Sequence, residues 1–95
     1  MKPVNEIDKT VTLFKLFSDP TRLKIIAMLV EGEYCVHEIH DTLNISQSSV
    51  SHQLAMLRER NVVKTRREGK LIFYSLKDEH VKELFETAYA HANEC

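Results

Sequence analysis

Ile7, Val11, Phe14 and Phe17 recur at three- and four-residue intervals, which predicts a first helix over about residues 5–17. Ser18-Asp19-Pro20-Thr21 breaks the pattern and restarts it. Asp19 has the side chain of a good N-cap, and Pro20 suits a first helical position that needs no N–H. The second helix carries Leu23, Ile25, Ile26 and Leu29 and is expected to stop near Gly32. A short third helix is predicted over about residues 35–43, with Val36, Ile39 and Leu43 on one face. Asn44-Ile45-Ser46 reads as a tight turn in which Ser46 caps the next helix. That fourth helix runs to about Arg60, with Val50, Leu54 and Leu57 turned inward.

The period then changes from 3.6 to 2. Val62–Arg67 and Lys70–Leu76 flank Glu68-Gly69, a hairpin signal in which glycine supplies a positive φ. From Asp78 the helical period returns, with Val81, Leu84, Phe85 and Ala88 as its apolar stripe. The expected order is α-α-α-α-β-β-α, an α+β, mainly helical chain. No repeat, linker or low-complexity stretch divides it, so residues 1–95 are read as a single domain.

A short helix, a turn and a longer helix with a polar N-terminal face make a helix-turn-helix over about residues 35–60, and the hairpin over about residues 62–76 would flank it as a wing. The second helix of such a pair can lie in the major groove with its first turns at the base edges. Gln47, Ser48, Ser49, Ser51, His52 and Gln53 carry the hydrogen-bonding groups for that task. Arg66, Arg67 and Lys70 at the wing suit phosphates or the minor groove. A capped helix with a solvated polar face gives the same local pattern.

Charge favours the DNA-binding reading. Although the chain's net charge is −1, residues 58–70 hold Arg58, Arg60, Lys64, Arg66, Arg67 and Lys70 against Glu59 and Glu68, a local excess of four positive charges. The 43% hydrophobic and 28% charged residues exclude a disordered chain. No apolar run approaches the roughly 20 residues that span a bilayer, and the polar start at Met1-Lys2-Pro3 lacks a signal peptide's apolar stretch. A cytoplasmic protein with no membrane partner is expected. Two cysteines, Cys35 and Cys95, are too few for a disulfide framework.

The last helix, over about residues 78–94, poses a second question. His80 and His91 are 11 residues apart, which returns them to nearly one face but separates them by about 16 Å along the axis. One chain cannot close both on one ion. Pairing two such helices antiparallel about a two-fold axis would bring Asp78 and His80 of one protomer to His91 and Glu94 of the other, making two N₂O₂ sites suited to zinc. It would also supply the dimer that a chain of this size favours. On spacing alone, a solvated acidic helix with ordinary surface histidines is equally compatible.

Ser48-Ser49-Val50-Ser51-His52-Gln53-Leu54, Glu33-Tyr34-Cys35-Val36-His37-Glu38-Ile39 and the strand end Tyr74-Ser75-Leu76 resemble the ArsR/SmtB family of metal-sensing repressors, over about residues 10–94. The Asp-x-His-x₁₀-His-x₂-Glu pattern of residues 78–94 is similar to the last-helix site of that family's zinc and cobalt sensors. The resemblance implies a winged helix-turn-helix homodimer, joined through its first and last helices. Such a dimer binds double-stranded operator DNA without metal and releases it with zinc, derepressing genes for metal efflux or sequestration. Cobalt or nickel are alternatives in vitro, and neither catalysis nor a small organic substrate is implied. The chain departs from the family's Cys-x-Cys third-helix site at Cys35-Val36-His37, and no cysteine or histidine precedes Cys35. Two rival readings differ in chemistry. One is a thiol- or persulfide-responsive repressor using Cys35 and Cys95. The other is a zinc-trafficking protein or zinc hydrolase, which as an enzyme would keep an open ligand position.

Overall fold

Local capping chemistry sets most of the helix boundaries in the computed structural model, which describes residues 1–94. Helix α1 spans Val4–Phe17, α2 Pro20–Val30, α3 Val36–Leu43, α4 Gln47–Glu59 and α5 Glu79–Asn93; the strands are β1 (Tyr34–Cys35), β2 (Val63–Glu68) and β3 (Leu71–Leu76). Asp19 Oδ2 accepts the Arg22 N–H at 2.9 Å with Pro20 at the first position of α2. Ser46 Oγ accepts the Ser49 N–H at 3.2 Å to open α4, and Asp78 Oδ1 accepts the Val81 N–H at 3.2 Å to open α5. Each satisfies a donor that the first helical turn leaves unpaired. At the start of α3, the Glu38 carboxylate reaches back to the Cys35 N–H at 2.9 Å.

The helix ends follow different rules. Asn44 adopts the left-handed conformation (φ 56°) and donates its N–H to the His40 carbonyl at 2.9 Å, which ends α3. Gly32 takes no positive φ; α2 closes one residue earlier, at Glu31, whose N–H bonds the Met28 carbonyl at 3.0 Å.

The element order contains one strand more than the sequence pattern predicts. Strand β1 pairs antiparallel with β3 (Tyr34 opposite Tyr74, Cys35 opposite Phe73), giving a sheet in the order β1-β3-β2. Two residues are too few to show a period of two, so only pairing defines this strand. The hairpin register runs from Val63 opposite Leu76 to Glu68 opposite Leu71. The turn residues are therefore Gly69-Lys70, one position later than Glu68-Gly69. Gly69 takes φ +63° at the first turn position, as a type II′ hairpin requires.

The core joins α2, α3, α4 and the base of the sheet. Ile25, Ile26, Ile39, Val50, Leu54, Leu57 and Val62 are fully buried, and Leu16, Phe17, Leu29, Val63 and Leu76 complete the cluster. Helix α5 contributes differently: Val81, Leu84 and Phe85 lie against this core half-buried, and none of its described residues is fully buried. Ile7, Val11 and Phe14 of α1 are likewise exposed. Between α1 and α5 an open apolar groove of about 250 Å³ is lined by Phe14, Phe17, Leu84, Phe85, Ala88 and Tyr89, among others. Among the described residues, no helix is long and apolar enough to cross a membrane.

If the Asp19 cap holds the start of α2, Asp19→Ala will cost about 1 kcal/mol in urea unfolding with an unchanged denaturant slope. Asp19→Asn, which keeps the accepting oxygen, will stay close to the parent. Equal stability of the Ala variant and the parent would show that the cap contributes nothing.

Candidate nucleic-acid interface and metal-ligating residues

The burial of Val50, Leu54 and Leu57 decides which side of α4 faces outward. Gln47, Ser48, Ser51 and His52 share the exposed arc. Ser49 and Gln53 sit on its flank, half-buried. The Gln53 Oε1 atom accepts from Arg22 Nη1 at 3.2 Å, while Arg22 Nε and Nη2 donate to the carbonyls of Leu16 (3.0 Å) and Lys15 (3.3 Å). The six residues predicted to face DNA therefore divide into four outward side chains and two held at the edge. No local sequence signal distinguishes Gln53 from its neighbours, because its partner lies 31 residues earlier.

The turn before α4 is fastened by a residue the sequence pattern does not single out. His40 Nδ1 lies 2.6 Å from the Ile45 carbonyl oxygen, which can only accept, so this nitrogen carries the proton and donates. His37, one helical turn earlier, pairs with Asp41 at 3.1 Å on the exposed side of α3.

On the wing, Arg66 is occupied. Its Nη2 and Nε donate to Glu33 Oε1 at 2.7 and 3.1 Å, and its Nη1 to Glu68 Oε2 at 2.7 Å. Its guanidinium carbon also stands 4.9 Å from the centre of the Phe73 ring. The hydrogen bond from Arg66 holds the Glu33 carboxyl below its ordinary pKa, and the two carboxylates raise that of Arg66. Among the described residues, Arg67 and Lys70 make no ion pair, and both are exposed. A groove of about 420 Å³ between α3, α4 and the wing brings Gln47, Ser51 and Lys70 together along with His37 and Ile72. A helix face carrying amide and hydroxyl groups, with free cations beside it, can bind base edges and phosphates together.

The last helix brings its four candidate ligands together as two pairs. Asp78 spends Oδ1 on the helix cap and places Oδ2 3.7 Å from His80 Nδ1. At the far end His91 Nδ1 lies 3.5 Å from Glu94 Oε1. The imidazoles are open to solvent, with His80 92% and His91 85% exposed. Among the described residues, no three His, Cys, Asp or Glu side chains converge on one point. Each end of α5 thus carries one imidazole beside one carboxylate. Cys35 is buried, and Cys95 lies outside the described residues.

Residues 19–65 match the family described as bacterial regulatory protein, arsR family. The chain is 46% identical over 83 residues to a cadmium resistance transcriptional regulatory protein CadC homolog of Staphylococcus aureus, covering 86% of this chain and 69% of that protein. It is 35% identical over 91 residues to a transcriptional repressor SmtB homolog of Synechocystis, covering 96% and 69%. Its fold superimposes with a TM-score of 0.89 on the homodimeric winged helix-turn-helix DNA-binding domain of Mb0332 from Mycobacterium bovis, at 28% identity over 95% of this chain and 83% of that one.

The Glu33–Arg66 pair has a pH signature. Because the folded carboxyl titrates below its unfolded value, the pair's contribution is complete above the ordinary glutamate range and disappears as pH falls through the folded pKa. Carboxyl NMR titration should place Glu33 below ordinary glutamates and return it to them in Arg66→Gln. The stability gap between the parent and Glu33→Gln should stay constant above about pH 5 and close at lower pH. A gap that widens on acidification would contradict the assignment.

Proposed function

The chain belongs to the arsR family of bacterial regulatory proteins, and from that premise we propose that it is a zinc-responsive repressor. In this reading a homodimer joined through α1 and α5 holds operator DNA without metal and releases it with zinc, so that genes for metal efflux or sequestration are expressed. The observation that carries the reading is the pairing of a carboxylate and an imidazole at each end of α5, Asp78 with His80 and His91 with Glu94. Between them runs an apolar stripe that its own chain leaves open, with Tyr89 61% exposed and Phe14 of α1 53% exposed beside it.

The donor set fits the metal. Two imidazoles and two carboxylates are ligands that zinc accepts in a closed four-ligand site, where it supplies a strong tetrahedral preference. Exposure leaves the ring nitrogens of His80 and His91 free to ligate. Asp78 keeps Oδ2 for that role because its cap uses only Oδ1. Two half-sites on one helix are completed by the same helix of a second copy, and an isologous interface repeats the completed site at both ends. Burying the apolar groove in that interface supplies the association energy.

On the DNA side, Gln47, Ser48, Ser51 and His52 face base edges, with Ser49 and Gln53 at the margin of the same helix. Arg67 and Lys70 take phosphates, and Arg66 reaches DNA only by leaving Glu33. Metal and operator oppose each other only if the dimer arrangement that gathers the four ligands misplaces the two recognition helices, because a ligand with equal affinity for both arrangements shifts nothing. Half-sites lie about 34 Å apart, so a small rotation is enough to lose one of them. The burial of Cys35 supports a packing role rather than a thiol switch.

Zinc should bind at one ion per chain, and His80→Ala or His91→Ala should each abolish it. A mixed dimer of these two variants keeps one end with all four native ligands and should regain one ion per dimer. Tight zinc binding by either variant alone would refute the shared site.

A separate measurement tests the wing. Arg67→Ala and Lys70→Ala should weaken operator and random duplex alike, each lowering the log–log salt slope by about 1. Ser51→Ala should instead reduce the preference for operator, by about 1–3 kcal/mol if it makes a full base contact. Loss of operator preference alone in the wing variants would assign sequence reading to the wing.

A further inference from the structure

The contact between Arg22 and Gln53 carries an inference that rests on the DNA-binding reading above and goes beyond it. Arg22 stands at a junction of three helices. Its own N–H is fixed by the Asp19 cap at the start of α2. Its Nε and Nη2 donate to the carbonyls of Leu16 and Lys15 in the last turn of α1, the second of which also accepts from the Ser18 hydroxyl at 2.9 Å. A guanidinium is a rigid planar fork, so two donors held by α1 set the direction of the third. That third donor, Nη1, meets Gln53 Oε1 at 3.2 Å.

This contact selects one of the two possible orientations of the Gln53 amide. Arginine only donates, so the carbonyl end of the amide must face it and the NH₂ end must point elsewhere. Gln53 Nε2 has no hydrogen-bond partner among the described residues, yet no polar side-chain atom among them is both buried and unpaired. The two NH₂ donors therefore reach solvent at the flank of α4. A glutamine that reads adenine uses both ends of its amide, one accepting and one donating. With Oε1 engaged by Arg22, Gln53 offers donors alone, and the acceptors in DNA that a donor at the edge of a recognition helix meets first are phosphate oxygens.

We propose that Arg22 is a positioning residue that fixes Gln53 as a clamp on the phosphate backbone, registering α4 on DNA through α1. Gln47, Ser51 and His52 on the exposed arc carry the sequence reading. Because Gln53 is neutral, the clamp releases no counterion and adds nothing to the salt slope. This separates it from Arg67 and Lys70.

The test uses the full chain, a duplex that it enriches from a randomised pool, and a scrambled duplex of equal length, followed by fluorescence anisotropy over a range of salt. Gln53→Met should weaken both duplexes by about tenfold, leaving their ratio and the salt slope unchanged. Gln53→Glu keeps an acceptor for Arg22 but has no donor, so it should fold as stably as the parent and bind DNA no better than Gln53→Met. Arg22→Lys retains the charge but cannot reach α1 and Gln53 together, so it should reproduce the loss. Adding it to Gln53→Met should change binding by less than about twofold. A Gln53→Met variant that loses only the enriched duplex would make Gln53 a base reader. Fully additive losses would separate Arg22 from Gln53, and parental binding by Gln53→Glu would show that the donors are idle. Each of these results overturns the proposal while leaving the DNA-binding reading intact. Failure of the unsubstituted chain to bind either duplex would overturn both.

Discussion

Burial of Val50, Leu54 and Leu57 constrains everything on the DNA side of the molecule, because a helix that commits one arc to the core has only the opposite arc to offer. The commitment is deep: all three side chains are fully buried against a cluster built from α2, α3 and the base of the sheet. Rotating α4 by one residue would bring polar side chains into that cluster without partners, at a cost of several kcal/mol. Gln47, Ser48, Ser51 and His52 are therefore presented as a unit with little freedom to reorient. The fastenings around the helix serve the same end. Ser46 caps its start, the His40 N–H closes the turn before it, and Arg22 joins its flank to α1.

Helix α5 obeys the opposite logic. Its apolar residues are only half satisfied by their own chain, and its charged and imidazole groups lie at the two ends rather than together. Under the proposed pairing, both shortages would have the same remedy in a second copy of the helix. A chain of this length has little core to spare for stability, so exposed apolar area between α1 and α5 is costly in the monomer. In the proposed dimer, the interface that stabilises the fold also assembles the ligands, so metal occupancy and protomer arrangement are one equilibrium.

Features set by neighbours in sequence were legible before the structure, and those set by distant residues were not. The caps at Asp19 and Ser46 are contacts over three residues, and their side chains announce them; Asp78, read from the sequence only as a candidate ligand, makes a cap of the same kind. The His91–Glu94 contact at the end of α5 is likewise an i, i+3 pair that helical spacing anticipates. Strand β1, in contrast, exists only because Tyr34 and Cys35 meet β3 some forty residues later. The charge pattern shows Arg66 as a free wing cation, but Glu33 lies 33 residues away in sequence and 2.7 Å away in space. Gln53 follows the same rule, with an acceptor assigned to Arg22 across 31 residues. The hairpin turn moved by one position because strand pairing, rather than the glycine alone, sets the register.

The engagement of Arg66 bears on how such a repressor could be emptied. Six basic residues between positions 58 and 70 suggest a strong, unselective grip on DNA. The structure withdraws one of them into a pair of carboxylates and leaves Arg67 and Lys70 at the hairpin tip without an ion pair among the described residues. Each phosphate contact adds salt-dependent affinity for any sequence, and that affinity is indifferent to how far apart the recognition helices stand. Coupling between two ligands is typically about 1–3 kcal/mol, a fivefold to 150-fold change in affinity. A shift of that size empties an operator only if most of the specific affinity depends on both recognition helices fitting at once. Restraining the unselective share, as the Glu33–Arg66–Glu68 cluster does, leaves a larger fraction of the binding to α4 and therefore to the dimer geometry that metal is proposed to change.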